Sequence, residues 1–246
     1  MISAGQIKHI RSLQQGKFRK EHGLFIAEGP RIVEELPGSA IEVIAVYGLA
    51  DWVTGNSGKF KAMRAEVNEI SQKELGRISN MVTPNQVLAV CRIPQMQVSD
   101  IPPGSSLLAL DGIRDPGNMG TIIRTADWFG FQNIICSSDC VDIYNPKVIQ
   151  STMGSFARVK VFYTDLPAYL SAADQAVYAM VMDGENVHEA NPGKGIYVIG
   201  NEAGGIRPEV LQHATQKLSI PAHGRAESLN AAVAAGIVMA FVSNKF

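Results

Sequence analysis

The chain is short of the features that tie a protein to a membrane or to an oxidising compartment. Its longest apolar stretches, such as residues 231–242 with Gly236 inside, fall below the roughly 20 residues that a membrane-spanning helix needs. Residues 1–15 lack the basic start and apolar middle of a secretory signal, so a cytoplasmic location is expected. Of 246 residues only Cys91, Cys136 and Cys140 are cysteines, an odd number in strand-like surroundings that suits reduced thiols. Cys136 and Cys140 have no second ligand pair to complete a zinc site, and no metal is expected. Neither sign of charge is in excess: 22 Lys and Arg face 23 Asp and Glu, for a formal net charge of −1. That balance excludes a surface coated in positive charge and moves attention to where the charges lie.

Nucleotide and hydrolase signatures are missing too. The patterns G-x-G-x-x-G and G-x-x-x-x-G-K-[ST] do not occur, which argues against ordinary NAD or ATP sites, and neither does a G-x-S-x-G elbow or H-E-x-x-H. What remains is a set of glycine-bearing loops rich in main-chain donors and acceptors. Such loops suit a ligand read by backbone rather than by charge.

With 46% hydrophobic residues the chain can build a sizeable core, as one large domain or two modest ones. Ser3 is placed to cap a first helix that carries Ile7, Ile10 and Leu13 on one side and ends at Gln15-Gly16. The first twenty residues hold Lys8, Arg11, Lys17, Arg19 and Lys20 and no acid, which makes either a basic arm or an ordinary solvated helix face. Strands are expected at Gly23–Ala27, Glu42–Tyr47, Ala65–Ile70 and Val87–Cys91, with a helix from Pro30 to Leu36, a helix or turn over Ala50–Asn56, and a helix capped by Ser71. This alternation describes a small α/β/α domain. Pro94, Pro102, Pro103 and Gly104 then give the composition of a linker. The expected organisation is a first domain over residues 1–94, a linker over 95–104 and a second domain over 105–246. In the second, apolar runs at Leu107–Leu110, Asn133–Cys136, Val159–Tyr163, Ala176–Met182, Ile196–Ile199 and Leu218–Ile220 recur with helix-sized spacers. Parallel strands joined by crossovers explain that rhythm and put ligands at the carboxyl ends of the strands.

The centre of the chain is the stretch from Leu107 to Gly130, where a short apolar run passes through a polar turn with Gly112, Gly117, Asn118 and Gly120 into a helical pattern of Ile122, Ile123, Ala126 and Phe129. Within it, Asp115-Pro116-Gly117-Asn118-Met119-Gly120-Thr121-Ile122-Ile123-Arg124-Thr125-Ala126-Asp127 resembles the first motif of the SpoU-type (TrmH-like) RNA ribose 2′-O-methyltransferases of the SPOUT class. Ile199-Gly200-Asn201-Glu202-Ala203-Gly204-Gly205-Ile206 resembles that family's second motif, and Leu218-Ser219-Ile220-Pro221 with Gly224 and Ser228–Ala234 its third. Family third motifs commonly read I-P-M-x-G and S-L-N-V-S-V-A; here the Met and one small hydroxyl residue are replaced, by Ala222 and Ala232, and His223 stands beside them. Upstream, Phe25–Glu35 resembles the opening of the family's L30e-like substrate-binding domain.

The resemblance implies an α/β chain with an L30e-like domain followed by a SPOUT domain whose parallel sheet is tied in a trefoil knot, a topology that general rules of chain connection would not suggest. It implies an S-adenosyl-L-methionine-dependent RNA 2′-O-ribose methyltransferase acting on ribosomal RNA, with transfer RNA as the alternative substrate. The rivals are an RNA-binding protein that keeps the knot without catalysis and an assembly module acting through its first domain. The implied cofactor contacts are Gly200, Ile220 and Leu229. Arg124 is the implied activating residue, and since arginine is a poor base, two roles stay open: base with phosphate assistance, or fixed donor to the developing alkoxide. Asn118 is set to position Arg124 or the loop, Glu202 to orient Arg124 or close the cofactor end, and Ser228 and Asn230 to meet phosphate or hydroxyl groups at the start of the last helix. Expected RNA contacts are Lys17, Arg19, Lys20, Arg114 and Arg225. The last helix is apolar on nearly every face, and the resemblance implies a homodimer formed through this region.

Overall fold

Ser3 and Gln6 close a reciprocal pair of hydrogen bonds at the start of α1 (Ala4–Ser12), each side chain taking the other residue's backbone N–H, at 2.9 and 3.2 Å. The same device, Ser71 with Glu74, starts α5 (Gln72–Ile78). Between them lie α2 (Gly16–His22), ended by Gly23 in the left-handed region, β1 (Leu24–Glu28), α3 (Pro30–Val33), β2 (Val43–Gly48), α4 (Ala50–Ala62) and β3 (Glu66–Glu69), and β4 (Val87–Arg92) follows. This is a computed structural model that describes residues 2–243. The four strands lie in the order β1-β4-β2-β3, with β4 antiparallel to both neighbours and β3 parallel to β2. Ile7, Ile10 and Leu13 pack with Leu75, Ile78, Leu88 and Val90 in one core. Helix α4 runs well past the expected Asn56: Gly55, Asn56 and Gly58 look like a loop in sequence, but buried Trp52 and Phe60, with rings 5.6 Å apart, hold the helix through them.

Two compact units result. The first takes in the residues up to Gln95 and also Asp142–Arg158, a segment that the sequence places in the second domain. Within this unit the Tyr144 ring lies 4.6 Å from that of Phe25, and Gln150 Nε2 donates to the Glu28 carbonyl at 2.8 Å.

The second unit consists of Met96–Val141 and the residues from Val159 onward. Its strands are β5 (Leu107–Leu110), β6 (Asn133–Ser137), β7 (Lys160–Thr164), β8 (Val177–Asn186), β9 (Ile196–Ile199) and β10 (Gln216–Ser219). They form one sheet in the order β10-β8-β9-β5-β6-β7, every pairing parallel. All four residues of β5 and of β9 are buried, as a central parallel sheet requires. The helices are α6 (Pro116–Trp128), then α7 (Pro146–Thr152) in the segment that joins the first unit, α8 (Leu166–Ser171), α9 (Val187–Ala190), α10 (Pro208–Leu211) and α11 (Ala231–Ser243), which packs along α6. The chain leaves β5 towards β6 on one side and returns as β9 on the other, so the strand order reverses at β5. In parallel α/β sheets that reversal opens a crevice at the carboxyl ends of the strands. No helix of the described residues is long and apolar enough to cross a membrane, and no group of three or more His, Cys, Asp or Glu among them is arranged to hold a metal ion.

Candidate active site

The loop after β5 turns through Gly112, at φ +71°, and reaches Asp115, whose carboxylate accepts the Asn118 backbone N–H at 2.8 Å and caps α6. Pro116 takes the first helical position, where its missing N–H is no loss. Asn118 therefore sits in the first turn of α6, at the crevice end of the sheet.

The loop after β9 is a tight hairpin. Asn201 and Gly205 exchange both backbone hydrogen bonds, at 3.0 and 2.8 Å, and Asn201 Oδ1 accepts the Ala203 N–H at 2.9 Å. A Cβ on Gly200 would stand 2.2 Å from the Gly205 carbonyl carbon, so only glycine lets the two arms meet. Gly200, read as a cofactor contact, thus already has a structural duty. Asn201 Nδ2 donates to the Gly112 carbonyl at 2.7 Å and ties this hairpin to the first loop.

The third stretch, residues 221–230, follows β10 with most of its side chains exposed, and the backbone groups of 221–229 have no partners among the described residues. Asn230 caps α11, accepting the N–H groups of Ala232 and Val233 at 2.9 and 3.3 Å. Ser228, two residues earlier, is exposed and has no part in that cap.

Three of the expected residues are brought together. Asn118 Nδ2 donates to Glu202 Oε1, and Asn118 Oδ1 accepts from Asn230 Nδ2 at 2.9 Å. One amide thus joins side chains from three loops separated by up to 112 residues, and the contacts fix which end of the Asn118 amide faces which partner. Arg124 is not in this cluster. It lies six residues along α6, about 9 Å along the helix axis and about 120° around it from Asn118, exposed and without a hydrogen bond or ion pair to its side chain among the described residues. Its guanidinium is available to a ligand. Half-buried Ile220 and Leu229, 44% exposed, flank the unpaired backbone of the third stretch. That combination fits an adenosyl group, which needs main-chain donors and acceptors at its edge and apolar contact on its faces.

The basic residues separate into three kinds. Lys17, Lys20 and Arg225 are exposed. Arg114 is open to solvent but paired, its Nη2 3.0 Å from Asp139 Oδ2. Arg19 is a correction: it is buried at 3% exposure, with Nε and Nη2 on Asp142 Oδ2 at 3.0 and 2.7 Å and Nη1 on the carbonyls of Leu13 and Gln14. Four of its five N–H donors are used within the fold.

Sequence reasoning missed a polar layer beneath the cluster. Asp111, 1% exposed, is gripped by Arg207, and Ser137 links the Gly112 N–H to Asp139 through bonds of 2.9 and 2.7 Å. The Ser137 hydroxyl first, then Arg114 and Arg207, hold the Asp139 carboxyl below the usual range. The bond to Asp111 raises the affinity of Arg207 for its proton. Cys140, which accepts the Ile113 N–H at 3.2 Å, is lowered to about 7, first by its contact with Cys136. A carboxylate directly after the all-apolar run Leu107–Leu110 was a usable sign that Asp111 is special. Nothing in the sequence marks Arg207.

Residues 105–240 match the SpoU rRNA Methylase family, and residues 5–89 match the MRM3-like substrate binding domain. The 23S rRNA (guanosine(2553)-2′-O)-methyltransferase RlmP of Bacillus subtilis is 29% identical, over 95% of this chain and 94% of its own length. Among solved structures, the AdoMet-bound rRNA methyltransferase of Sinorhizobium meliloti superposes with a TM-score of 0.87 at 30% identity, covering 98% of this chain and 95% of that one. A TrmH-family protein of Porphyromonas gingivalis gives 0.85 at 37% identity, with 98% of both chains covered. With these matches added to the three converging loops, the chain belongs to the SpoU rRNA methylase family.

Proposed function

We propose that this chain transfers a methyl group from S-adenosyl-L-methionine to a ribose 2′-hydroxyl of ribosomal RNA. The observation that carries the reading is the Asn118–Glu202–Asn230 cluster, which gathers all three motif loops at the crevice end of a parallel sheet. S-adenosylmethionine supplies a methyl group already activated on a sulfonium, so no metal is called for. The chain's task is the acceptor. A ribose hydroxyl attacks poorly unless the charge growing on its oxygen is stabilised or its proton removed. Arg124 is the residue assigned to that oxygen, its donors unspent among the described residues; Ser228, also exposed, offers a hydroxyl to the neighbouring phosphate. Asn118, Glu202 and Asn230 keep the loops in register. The unpaired backbone beside Ile220 and Leu229, together with Gly200 at the foot of the hairpin, is the cofactor's place in this reading.

The RNA is held by Lys17, Lys20 and Arg225, and by Arg114 once it exchanges Asp139 for a phosphate. The first unit, residues 1–94 in the expected division, serves as the RNA-binding domain, and the second as a knotted catalytic domain in the cytoplasm. Homodimerisation through α6 and α11 belongs to the same reading: Trp128 is 84% exposed and Val233 51%, large apolar surfaces that a second copy would cover.

Titration with S-adenosylmethionine, followed by turnover on unmethylated ribosomal RNA, tests the proposal. The wild-type chain and Arg124→Ala are expected to bind the cofactor equally while only the wild type transfers methyl. Cofactor binding without transfer by the wild type to ribosomal or transfer RNA would leave an RNA-binding protein instead.

A further inference from the structure

Asp111 and Arg207 belong to none of the residues that the motifs single out, yet they form the most committed ion pair of the second unit. A carboxylate at 1% exposure is expensive unless its oxygens are satisfied. Arg207 satisfies them with three donors: its backbone N–H reaches Oδ2 at 2.8 Å, and Nε and Nη2 reach Oδ1 at 2.8 and 2.5 Å. Two of these donors, Nε and Nη2, hold the buried carboxylate in place for the third, the backbone contact. That contact fixes the main chain at the exit of the 200–206 hairpin, which a pairing of side chains alone would leave free. The entrance is fixed by Asn201 on the carbonyl of Gly112, the residue next to Asp111. Both ends of the hairpin are therefore fastened to two consecutive residues at the root of the loop that presents Asn118, and Glu202 rides near its tip. Arg207 Nη2 also lies 3.4 Å from Asp139 Oδ1, and Asp139 reaches the Gly112 N–H through Ser137. One guanidinium thus braces three loops.

We propose that Arg207 is a positioning residue for methyl transfer, acting through buried Asp111 to hold the Glu202 hairpin in hydrogen-bonding reach of Asn118. The inference rests on the function proposed above. A hairpin released at its exit lets Glu202 drift, and displacement of about 1 Å in a pre-organised site lowers turnover by up to a hundredfold.

Arg207→Lys keeps the charge and the backbone N–H but removes the fork, since an ammonium cannot reproduce the paired Nε and Nη2 contacts. The side-chain amide resonances of Asn118 in nitrogen-15-labelled protein report its hydrogen bond to Glu202 directly, and Glu202→Ala supplies the reference for its absence. The expected result is that in Arg207→Lys these resonances move towards their Glu202→Ala positions, while kcat at saturating cofactor and RNA falls at least tenfold. Asp111→Asn, which weakens the acceptor side of the same pair, should move them in the same direction. Unmoved Asn118 resonances would overturn the proposal, and so would moved resonances with wild-type kcat. If the wild type itself transfers no methyl, the functional reading fails separately, and the resonances alone decide whether Arg207 positions the hairpin.

Discussion

Gly200 and Gly204 lie in the same hairpin and make opposite predictions for the same substitution. An added Cβ at Gly200 would lie 2.2 Å from the Gly205 carbonyl carbon, 2.3 Å from the Ile206 nitrogen and 2.4 Å from the Gly205 oxygen, all of them backbone. Relief to ordinary packing distance needs the arms to part by more than about 1 Å, which breaks the paired Asn201–Gly205 bonds and pulls Glu202 from Asn118. Overpacking of this kind costs about 1–3 kcal/mol, and with those bonds broken Gly200→Ala should fall near about 3 kcal/mol. At Gly204 an added Cβ meets nothing within 4 Å. Its backbone is not among those at positive φ, so Gly204→Ala should be neutral or gain up to about 1 kcal/mol from a less flexible unfolded chain. Urea unfolding of both variants, with methyl transfer measured beside it, separates the two. Equal stability and equal activity in Gly200→Ala would refute the hairpin geometry on which the site depends.

Four further predictions concern other parts of the chain. Burial pushes the Glu28 carboxyl up, although Ser79 and the Asn80 N–H partly offset this; its contribution to stability is therefore full below the ordinary glutamate value of about 4.3 and is lost as pH rises through the raised one. The stability of wild type relative to Glu28→Gln should accordingly decline as pH rises above about 4 in urea melts, and a rising difference would reverse the assignment. Charge reversal at Lys17 and Lys20 should weaken RNA binding and reduce its salt slope by roughly 0.7 for each phosphate no longer neutralised, as seen in filter binding at several salt concentrations. Arg19→Ala should instead destabilise the fold by about 2 kcal/mol, because it takes the charged donor from a partly buried Asp142 and from the carbonyls of Leu13 and Gln14. Trp128→Ser should leave monomer stability within about 0.5 kcal/mol and shift light-scattering mass from dimer towards monomer; an unchanged dimer would remove α6 from the interface.

The parts of the fold that were legible in the sequence are those in which local chemistry and long-range packing agree. Ser3 and Ser71 cap the helices expected of them, and the apolar runs at Leu107–Leu110 and Ile196–Ile199 are central parallel strands. Helix α4 was only partly legible because its glycines contradict what Trp52 and Phe60 impose. The placement of 142–158 with the first unit depends on contacts to Phe25, Glu28 and Arg19, which no local pattern announces. At the site, the resemblance to the family's three motifs pointed to Asn118, Glu202 and Asn230, but the choice of Asn118 as the amide that joins them is a matter of geometry alone. Arg19 shows the opposite failure: a run of basic residues looks uniform in sequence, and one partner, Asp142, 123 positions away, takes a member out of it.

Where the methyl group lands decides the central claim. A 2′-O-methyl ribose has lost the hydroxyl that attacks the adjacent phosphodiester in alkali, so the linkage after it survives hydrolysis. Ribosomal RNA incubated with the wild-type chain and methyl-labelled S-adenosylmethionine should therefore yield its label in alkali-stable dinucleotides, and Arg124→Ala should yield almost none. Label recovered in mononucleotides, on a base, would contradict the account.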